Sequence, residues 1–568
     1  MSEKKLFVRK ATGLVREIGP LTAVIICLAN TIGYGWQKRI FQFTGPATVP
    51  ENTYFLGLPP MGMAFLVGGI VILFSTVSYA ILTAAMPRSG GGYVVVSRVI
   101  NPFAGYIGSW VEFLSIAWSF GIIAVAVFEG IGNLGAVAGV TPTFNDVTMF
   151  WGGVVLVIVF TVIASFGIRM AGYLLQAMFW IPAILTLYVL FLLGSGAANP
   201  GAVAVGMQAI TGHTPSEYVQ AALAQGLDTA FTGSYFDAVS IAMLGAYWSY
   251  IGYAASTFVA GEIKEANKKL PQILFVAGIL IVTIYMVVST LTRAATNVAI
   301  TPDGKWSLFS AYAYLSWGAG SLSNAGLPSI KAWSTVVAGY AGNGIGLQSL
   351  NILVLIFGVF WIANDIPPFI LTASRVLFAM SFDRVMPEAL SSVNERLHSP
   401  VNATIATGIV GLLGVASESG VFGLGASYNP ARNALLANTF GAGVASTDLY
   451  DGIFFTLFAL AAVYFPFKKK QIFEKAPWKP GGVATVVIIG LIAFIGNLYL
   501  DYAFLFASAG SYNLAALPSA SDPFTKGFAL WFTIILIIIG ALIYGYYKLR
   551  AKTTGVDYTT IFTEIPPE

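Results

Sequence analysis

The 568-residue sequence has little charge, a single cysteine and only two histidines. Charged residues make up 10% of the chain, against about 25% in soluble domains, so water cannot be its main solvent. Cys27 alone excludes an internal disulfide, and no Cys and His cluster has zinc-ligand spacing. His213 and His398, both in predicted loops, are the only histidines, which argues against histidine-centred hydrolysis or acyl transfer.

Long apolar runs are abundant instead, since 57% of the residues are hydrophobic. A helix needs about 20 apolar residues to cross a hydrocarbon core of about 30 Å. The uncharged runs that reach this length lie at 61–85, 147–168, 172–194, 271–292 and 527–547. They are continuous rather than alternating, so nothing in the pattern indicates a transmembrane β-barrel. We therefore predict an all-α integral membrane protein with about twelve transmembrane helices.

The predicted spans leave long connections on one side of the membrane, at about 195–235, 295–347, 418–449 and 506–526. These connections are rich in small and polar residues, and their pattern does not reveal a helical or a disordered state. The tail after Lys552 is polar, and we expect it to be mobile. The twelve predicted spans lie near 17–43, 61–85, 102–137, 147–168, 172–194, 236–262, 270–292, 348–383, 401–417, 450–467, 481–505 and 527–548.

The positive charges are distributed unequally between the two sides of the predicted spans. Of the 29 Lys and Arg residues, 22 fall on the side that carries both termini and five fall on the other, with Lys38 and Arg39 inside the first span. The positive-inside rule then places both termini in the cytoplasm. The charged N-terminal sequence MSEKKLFVRK has no small-residue cleavage site, so the first apolar segment is expected to be retained. Multi-pass insertion favours the plasma membrane.

Two of the predicted spans are interrupted by glycine. The first contains Gly33 and Gly35 one residue apart, and the sixth contains Gly252 among aromatic residues. Glycine costs about 1 kcal/mol relative to alanine in a helix. Corresponding breaks in the two halves of a transporter indicate a binding site near the midplane. An unwound half-helix offers N–H groups to an anion and carbonyl groups to a cation, and a zwitterion needs both.

Each interruption has a simpler explanation when it is taken alone. A Gly-x-Gly pair in a membrane helix is more often a notch for close packing. Trp248, beside the second break, could be an anchor at the membrane interface. The joint occurrence of the breaks in spans one and six favours a binding site.

Five short motifs in order along the chain resemble the amino acid-polyamine-organocation superfamily of transporters. The sixth span most resembles the arginine/agmatine exchanger branch, and the resemblance covers about 18–467. The motifs are Ile32-Gly33-Tyr34-Gly35, the Pro-x-Ser-Gly-Gly-x-Tyr pattern at 86–93, the run at 248–252, Gly261-Glu262-Ile263-Lys264 before Pro271, and Ser374-Arg375 followed by Asp383-Arg384.

This resemblance implies the leucine-transporter fold, with spans one to five and six to ten as inverted repeats and two additional C-terminal helices. The implied divisions are a cytoplasmic N-terminus at 1–16, the first repeat at 17–194 and an external loop at 195–235. The second repeat follows at 236–467, then a basic cytoplasmic loop at 468–480, the additional helices at 481–548 and a cytoplasmic tail at 549–568.

The resemblance also implies a substrate site at the two breaks. The backbone N–H groups of Gly33, Tyr34 and Gly35 would bind a substrate carboxylate. The carbonyl groups of Ile32, Trp248 and Ile251 would bind its ammonium group. Ser249 and Gly252 complete the predicted site, and Trp248 would be an aromatic gate over it. Tilting of spans one, two, six and seven would give alternating access.

One segment departs from the family pattern. Where the family continues with Ile-Phe after the first break, this chain has Trp36, Gln37, Lys38 and Arg39. The two cations either attract anionic groups or extend to the outer membrane interface, and we favour the second reading. Either way, a dibasic substrate is disfavoured.

Two carboxylates, Glu112 and Asp365, are predicted to lie inside the membrane and are candidates for ion or proton coupling. Glu112 is ten residues, or roughly 15 Å, into span three. The alternative role for each is hydrogen bonding between helices. Span five has no lysine at 172–194, so the coupling route of some proton-coupled relatives is absent. Proton symport, sodium symport and exchange all stay open.

These observations predict a secondary active transporter for an amino acid or related small zwitterion, working as a symporter or exchanger. A polyamine, nucleobase or inorganic ion is the alternative cargo, and a channel is disfavoured by the paired broken helices. No catalytic constellation indicates a membrane-embedded enzyme. We expect no cofactor, metal or nucleic acid, only a small-molecule substrate and the lipid bilayer as partners. The oligomeric state is not indicated.

Overall fold

The computed structural model describes residues 11–140, 142–421, 444, 446–555 and 558–566. Within these ranges the chain is helical, with three isolated β-bridges and no strands. The α-helices are α1 (Pro20–Ala29), α2 (Tyr34–Gln42), α3 (Pro60–Ala85), α4 (Gly92–Val99), α5 (Pro102–Val137), α6 (Asp146–Ser165), α7 (Ile168–Ala198), α8 (Pro200–Thr211), α9 (Pro215–Ala224), α10 (Tyr235–Tyr250), α11 (Ala266–Ala295), α12 (Leu308–Trp317), α13 (Ser334–Gly344), α14 (Asn351–Asn364), α15 (Ile366–Phe382), α16 (Val401–Ser419), α17 (Asp448–Lys468), α18 (Lys470–Lys475), α19 (Gly482–Phe506), α20 (Pro523–Lys526), α21 (Phe528–Thr553) and α22 (Tyr558–Thr563).

Ten helical segments in the described residues are long and apolar enough to cross a membrane, and α14 with α15 counts as one of them. Spans one and six are not among the ten because each is broken into shorter pieces: α1 with α2, and α10 with the 3-10 helix Ala255–Glu262. Together these make the twelve predicted spans. The remaining spans are α3, α5, α6 and α7 for two to five, α11, α14 with α15, α16 and α17 for seven to ten, and α19 and α21 for the last two.

Several spans begin at residues that suit a helix N-terminus. Pro60 and Pro102 occupy the first turns of α3 and α5, where a missing backbone N–H costs nothing. Asn101 caps α5 by accepting a hydrogen bond from the Ala104 N–H at 2.8 Å. Ser234 and Asp237 form a capping box at the start of α10.

Spans one to four pack against spans of the second half. Spans one and six are antiparallel, because α2 packs against α10 while α1 packs against the 3-10 helix Ala255–Glu262. Span two packs against span seven, span three against spans eight and nine, and span four against span nine. Of the last two spans, α19 packs mainly against spans ten and two, and α21 packs against span three. This is the predicted leucine-transporter arrangement of two inverted five-helix repeats with two additional helices.

One face of the molecule, called here the terminal face, carries segments from both ends of the chain. Ile18 forms a parallel β-bridge with Ile263, in which the Ile18 N–H donates to Glu262 and the Lys264 N–H donates to Ile18, both at 2.9 Å. These bonds attach the start of span one to the end of span six.

The C-terminal tail also lies on the terminal face, and the expectation of mobility is wrong for its described part. Helix α22 buries Ile561 and Phe562, which are 0% and 5% exposed. The Tyr558 hydroxyl donates to the Arg384 carbonyl at 2.7 Å. Apolar side chains within the polar tail fix it to the protein.

The opposite face carries helices that the sequence pattern did not reveal. Helices α8 and α9 occupy the connection at 195–235, and α12 and α13 occupy the connection at 295–347. Most of the third long connection, including Arg432, lies outside the described residues.

Candidate functional site

Span one is unwound between α1 and α2. The helix ends at Ala29, and α2 starts again at Tyr34 with Gly33 as its N-cap. The Thr31 carbonyl accepts a hydrogen bond from the Tyr285 hydroxyl of span seven. The Ile32 carbonyl accepts no hydrogen bond from any described residue, although Ile32 is buried. The break therefore presents a free backbone acceptor inside the protein.

Span six is unwound at the same depth. Helix α10 ends at Tyr250, and Gly252 has a φ of 106°, a left-handed value that suits glycine. A Cβ atom on Gly252 would collide with the Asn30 carbonyl oxygen of span one. The Ile251 carbonyl, like that of Ile32, accepts no hydrogen bond from the described residues. The two breaks are thus in direct contact, as predicted.

The N-terminus of α2 holds a carboxylate supplied by the protein. The Tyr34 N–H donates to Asp365 Oδ2 of span eight at 3.5 Å. A Cβ atom on Gly33 would collide with the same carboxylate, so the missing side chain makes room for it. The N–H groups of Gly33 and Gly35 donate to no described acceptor. Asp365 therefore lies where a substrate carboxylate was predicted.

Asp365 has no cationic partner in the part of the chain that the structure describes. Asp365 is 4% exposed, and its Oδ1 atom accepts no hydrogen bond from a described residue. The backbone at Asp365 stays helical, with φ −67° and ψ −27°, so span eight does not unwind before Pro367 and Pro368. An unpaired buried charge is unfavourable in a low-dielectric interior.

Aromatic side chains surround the first turn of α2. The Tyr34 ring makes edge contacts with Trp248 and Trp333, at centroid distances of 6.4 and 5.5 Å. A Cβ atom on Gly35 would lie 2.9 Å from the Ser249 Cα, so α2 and α10 touch backbone to backbone there. The predicted site residues of spans one and six therefore form one cluster.

Lys38 does not extend to the membrane interface, and that expectation is wrong. Lys38 is 3% exposed. Its Nζ atom lies 2.9 Å from Glu129 Oε2 of span three and 2.5 Å from the Tyr34 hydroxyl oxygen. The sequence did not reveal Glu129 as the partner of Lys38. The signal was a second carboxylate in span three, but the pairing depends on tertiary structure.

Arg39 is half-buried and covers Trp248. Its guanidinium lies 3.9 Å from the indole centroid, within the range of a cation–π interaction. The predicted aromatic gate is therefore stacked on a side chain from span one, and its indole face is already in contact with a cation.

Glu112 belongs to a different cluster. It is 1% exposed, and its Oε2 atom accepts no hydrogen bond from the described residues. Its charge interacts with Asp451 of span ten, which accepts a hydrogen bond from Ser115 at 2.7 Å. None of these contacts is with the residues of the first break.

Two buried ion pairs close the terminal face, and neither was recognised from the sequence. Arg375 binds Glu262 through two hydrogen bonds of 2.9 and 3.0 Å, and both side chains are 0% exposed. Arg98 binds both carboxylate oxygens of Asp383. All of these residues except Arg98 lie inside the motifs that carry the family resemblance, so the motifs themselves were the available signal.

A cavity of about 420 Å³ opens toward the opposite face. Residues that line it include Phe43, Thr48, Glu51, Arg293 and Asn297. No residue of either break lines it. The cavity therefore leads toward the site between the outer halves of spans one, six and seven without including it.

Comparisons with known proteins indicate relatives over most of the chain. A sequence profile of the family described as amino acid permease matches residues 18–542. An uncharacterized transporter of Mycobacterium tuberculosis is 25% identical over 400 residues, 70% of this chain and 73% of the relative. Branched-chain amino acid permease BcaP of Bacillus subtilis is 23% identical over 411 residues, 69% and 72% of the two chains. The crystal structure of MhsT in complex with L-phenylalanine aligns with a TM-score of 0.49 and 14% identity, over 87% of this chain and 99% of that chain.

Proposed function

Because the chain belongs to the amino acid permease family, we propose that it is a secondary active transporter that moves an amino acid or a related small zwitterion by alternating access. The observation that carries the proposal is the contact between the two broken spans, where Gly252 lies against Asn30. Unpaired backbone groups at such a contact can replace part of the hydration of a charged solute.

The substrate site that we propose consists of Ile32, Gly33, Tyr34 and Gly35 of span one with Trp248, Ser249, Ile251 and Gly252 of span six. The free carbonyls of Ile32 and Ile251 support an ammonium site. The free N–H groups of Gly33 and Gly35 support an anion site.

For alternating access, we propose that the contacts on the two faces open in turn. On the opposite face, Arg39 must leave Trp248 before solute enters between spans one and six. On the terminal face, movement of span six must carry Glu262 away from Arg375 or take span eight along with it. The pair of Glu262 and Arg375 joins a predicted moving span to span eight, which is the geometry a gate requires. The pair of Arg39 and Trp248 joins two predicted moving spans and covers the space between them.

The orientation and the coupling are also proposals. The excess of Lys and Arg on the terminal face supports termini in the cytoplasm of a cell whose plasma membrane the protein spans. Asp365 is a candidate for coupling because it lies at the first break, whereas Glu112 lies in another cluster. Proton symport, sodium symport and exchange remain the alternatives for coupling. We also propose that the chain is divided into two repeats, at 17–194 and 236–467.

The arginine/agmatine exchanger branch is supported by the motifs of span six alone. Lys38 and Arg39 at the outer half of span one weigh against a dibasic substrate. A second candidate cargo, an amine that lacks a carboxylate, is favoured by one specific observation, the contact of Asp365 with the Tyr34 N–H.

The proposed function is tested by uptake into proteoliposomes. Purified protein is reconstituted and assayed for counterflow of the twenty amino acids and several amines. We expect saturable counterflow of at least one of them, and its loss in Gly33→Leu and Trp248→Ala. Unitary currents in a planar bilayer would contradict alternating access, and unchanged counterflow in both variants would show that the site is elsewhere.

A further inference from the structure

The first turn of α2 is the anion-binding element of the proposed site. The first N–H groups of a helix are unpaired, and the helix dipole is positive there, so this end attracts anions. In this protein the Tyr34 N–H donates to the Asp365 carboxylate at 3.5 Å, and Gly33 leaves room for that carboxylate against its backbone. The carboxylate of a side chain from span eight thus takes the position predicted for a substrate carboxylate.

The Asp365 carboxylate lacks a positive partner among the described residues. Lys38, on the same half-helix, is paired with Glu129. The Tyr285 hydroxyl donates to Thr31. Asp365 Oδ1 accepts no hydrogen bond from any described residue, although Asp365 is buried. A buried carboxylate with one long hydrogen bond and no cation is neutralised either by a proton or by a cationic ligand.

Other acceptors belong to the same pair of breaks. The carbonyls of Ile32 and Ile251 accept no hydrogen bond from the described residues. A primary ammonium group has three donors and no acceptor. The two carbonyls and Asp365 Oδ1 are three unpaired acceptors at the two breaks.

We propose that Asp365 is a specificity-determining residue that supplies the carboxylate held by α2, so that the site recognises the ammonium group of a solute and does not require the solute to carry a carboxylate. The substrate class is then the monoamines, which differ from neutral amino acids by lacking the carboxylate. An amino acid would bring a second carboxylate close to Asp365, and like charges repel strongly in a buried site. The inference rests on the proposed transport function and selects its second candidate cargo, the amine, over the zwitterion.

The test compares each amino acid with its amine. The full-length protein in detergent is titrated with phenylalanine and 2-phenylethylamine, and with leucine and 3-methylbutylamine, using the thermal midpoint as the readout. Putrescine and sodium chloride are titrated separately, and the same pairs are compared by counterflow in proteoliposomes. For the wild type we expect each amine to bind at least about tenfold more tightly than its amino acid. We expect putrescine to bind more weakly than the monoamines.

The diagnostic variant is Asp365→Asn, which keeps the size of the side chain and an oxygen for the Tyr34 N–H. It should abolish the preference for the amine, because the negative charge is gone while the anion site remains. Asp501→Asn is the matched control, since Asp501 is another buried carboxylate that accepts from Thr456 at 2.6 Å. This control should keep the wild-type preference. The midpoint of each variant without ligand shows that it is folded.

Three results would overturn the inference while leaving transport intact. The wild type could bind the amino acid more tightly than its amine, or Asp365→Asn could weaken the binding of both members of a pair equally. Sodium could also shift the midpoint of the wild type but not of Asp365→Asn, while no amine shifts either. If the wild type binds and counterflows no member of any pair and no other amino acid, the proposed function itself fails.

Discussion

The carboxylate of Glu262 accepts two hydrogen bonds from the guanidinium of Arg375, at 2.9 and 3.0 Å, and neither side chain is exposed. The pair joins the end of span six to span eight on the terminal face. Its two residues come from separate sequence motifs, 113 positions apart. The motifs are therefore two halves of one structural contact.

Loss of the Glu262 charge should destabilise the protein. Glu262→Gln leaves the Arg375 guanidinium buried without a counter-charge, which costs about 3–5 kcal/mol. We expect a clear drop in the thermal midpoint of detergent-purified protein. Glu474→Gln is the control, because Glu474 pairs with Lys470 at 3.9 Å on an exposed surface and such pairs contribute about 0–1 kcal/mol. Equal midpoints for the two variants would contradict a structural role for the Glu262 pair.

Much of the fold could be predicted because apolar run length and helix-starting residues are local signals. The run that starts at Pro102 was predicted to end at 137, and α5 does end at Val137. The breaks at Gly33 and Gly252 were equally visible, because glycine pairs and aromatic clusters interrupt otherwise apolar sequence. Helices α8 and α9 were not visible, since short helices rich in Ala and Gly resemble loop sequence.

The partners of buried charges could not be predicted in the same way. Lys38 and Glu129 are 91 positions apart, and nothing local distinguishes a paired lysine from one that extends to the interface. The same holds for Asp365, whose contact with the Tyr34 N–H bridges 331 positions. The sequence identified Asp365 as a candidate but assigned the anion site to the substrate. Such contacts form only when distant segments of the chain come together in the fold, and a single sequence carries no local sign of them.

Gly252→Ala should abolish transport. The Cβ atom would collide with the Asn30 carbonyl, and the left-handed φ of 106° disfavours any side chain, which costs on the order of 1–3 kcal/mol. We expect loss of counterflow together with a lower thermal midpoint. Gly304→Ala separates the two causes, because Gly304 has a φ of 71° but open space around its Cα. This control should keep counterflow, and its loss would implicate backbone strain in general rather than contact between the breaks.

The C-terminal tail should stabilise the terminal face. Phe562 packs on the Arg98 guanidinium at 5.0 Å, and Arg98 Nε donates to the Glu564 carbonyl at 3.2 Å. Burying a phenylalanine side chain contributes about 1.5–3 kcal/mol. Phe562→Ala should therefore lower the thermal midpoint. Glu564→Ala should not, because the exposed Glu564 contributes its backbone carbonyl and not its side chain. An unchanged midpoint in Phe562→Ala would mean that the tail is not bound in solution.

A charge swap tests the buried pair of Lys38 and Glu129. Lys38→Glu places two carboxylates together at a site where Lys38 and Glu129 are only 3–5% exposed. Removing one partner of such a buried pair costs about 3–5 kcal/mol. We expect Lys38→Glu and Glu129→Lys each to lower the thermal midpoint strongly, and the double variant to recover part of the loss because opposite charges meet again. Asp303→Asn, in a half-exposed pair with Lys305 at 3.2 Å, should change the midpoint little. Had Lys38 extended to the membrane interface, the two single variants would act independently and their effects would add in the double variant.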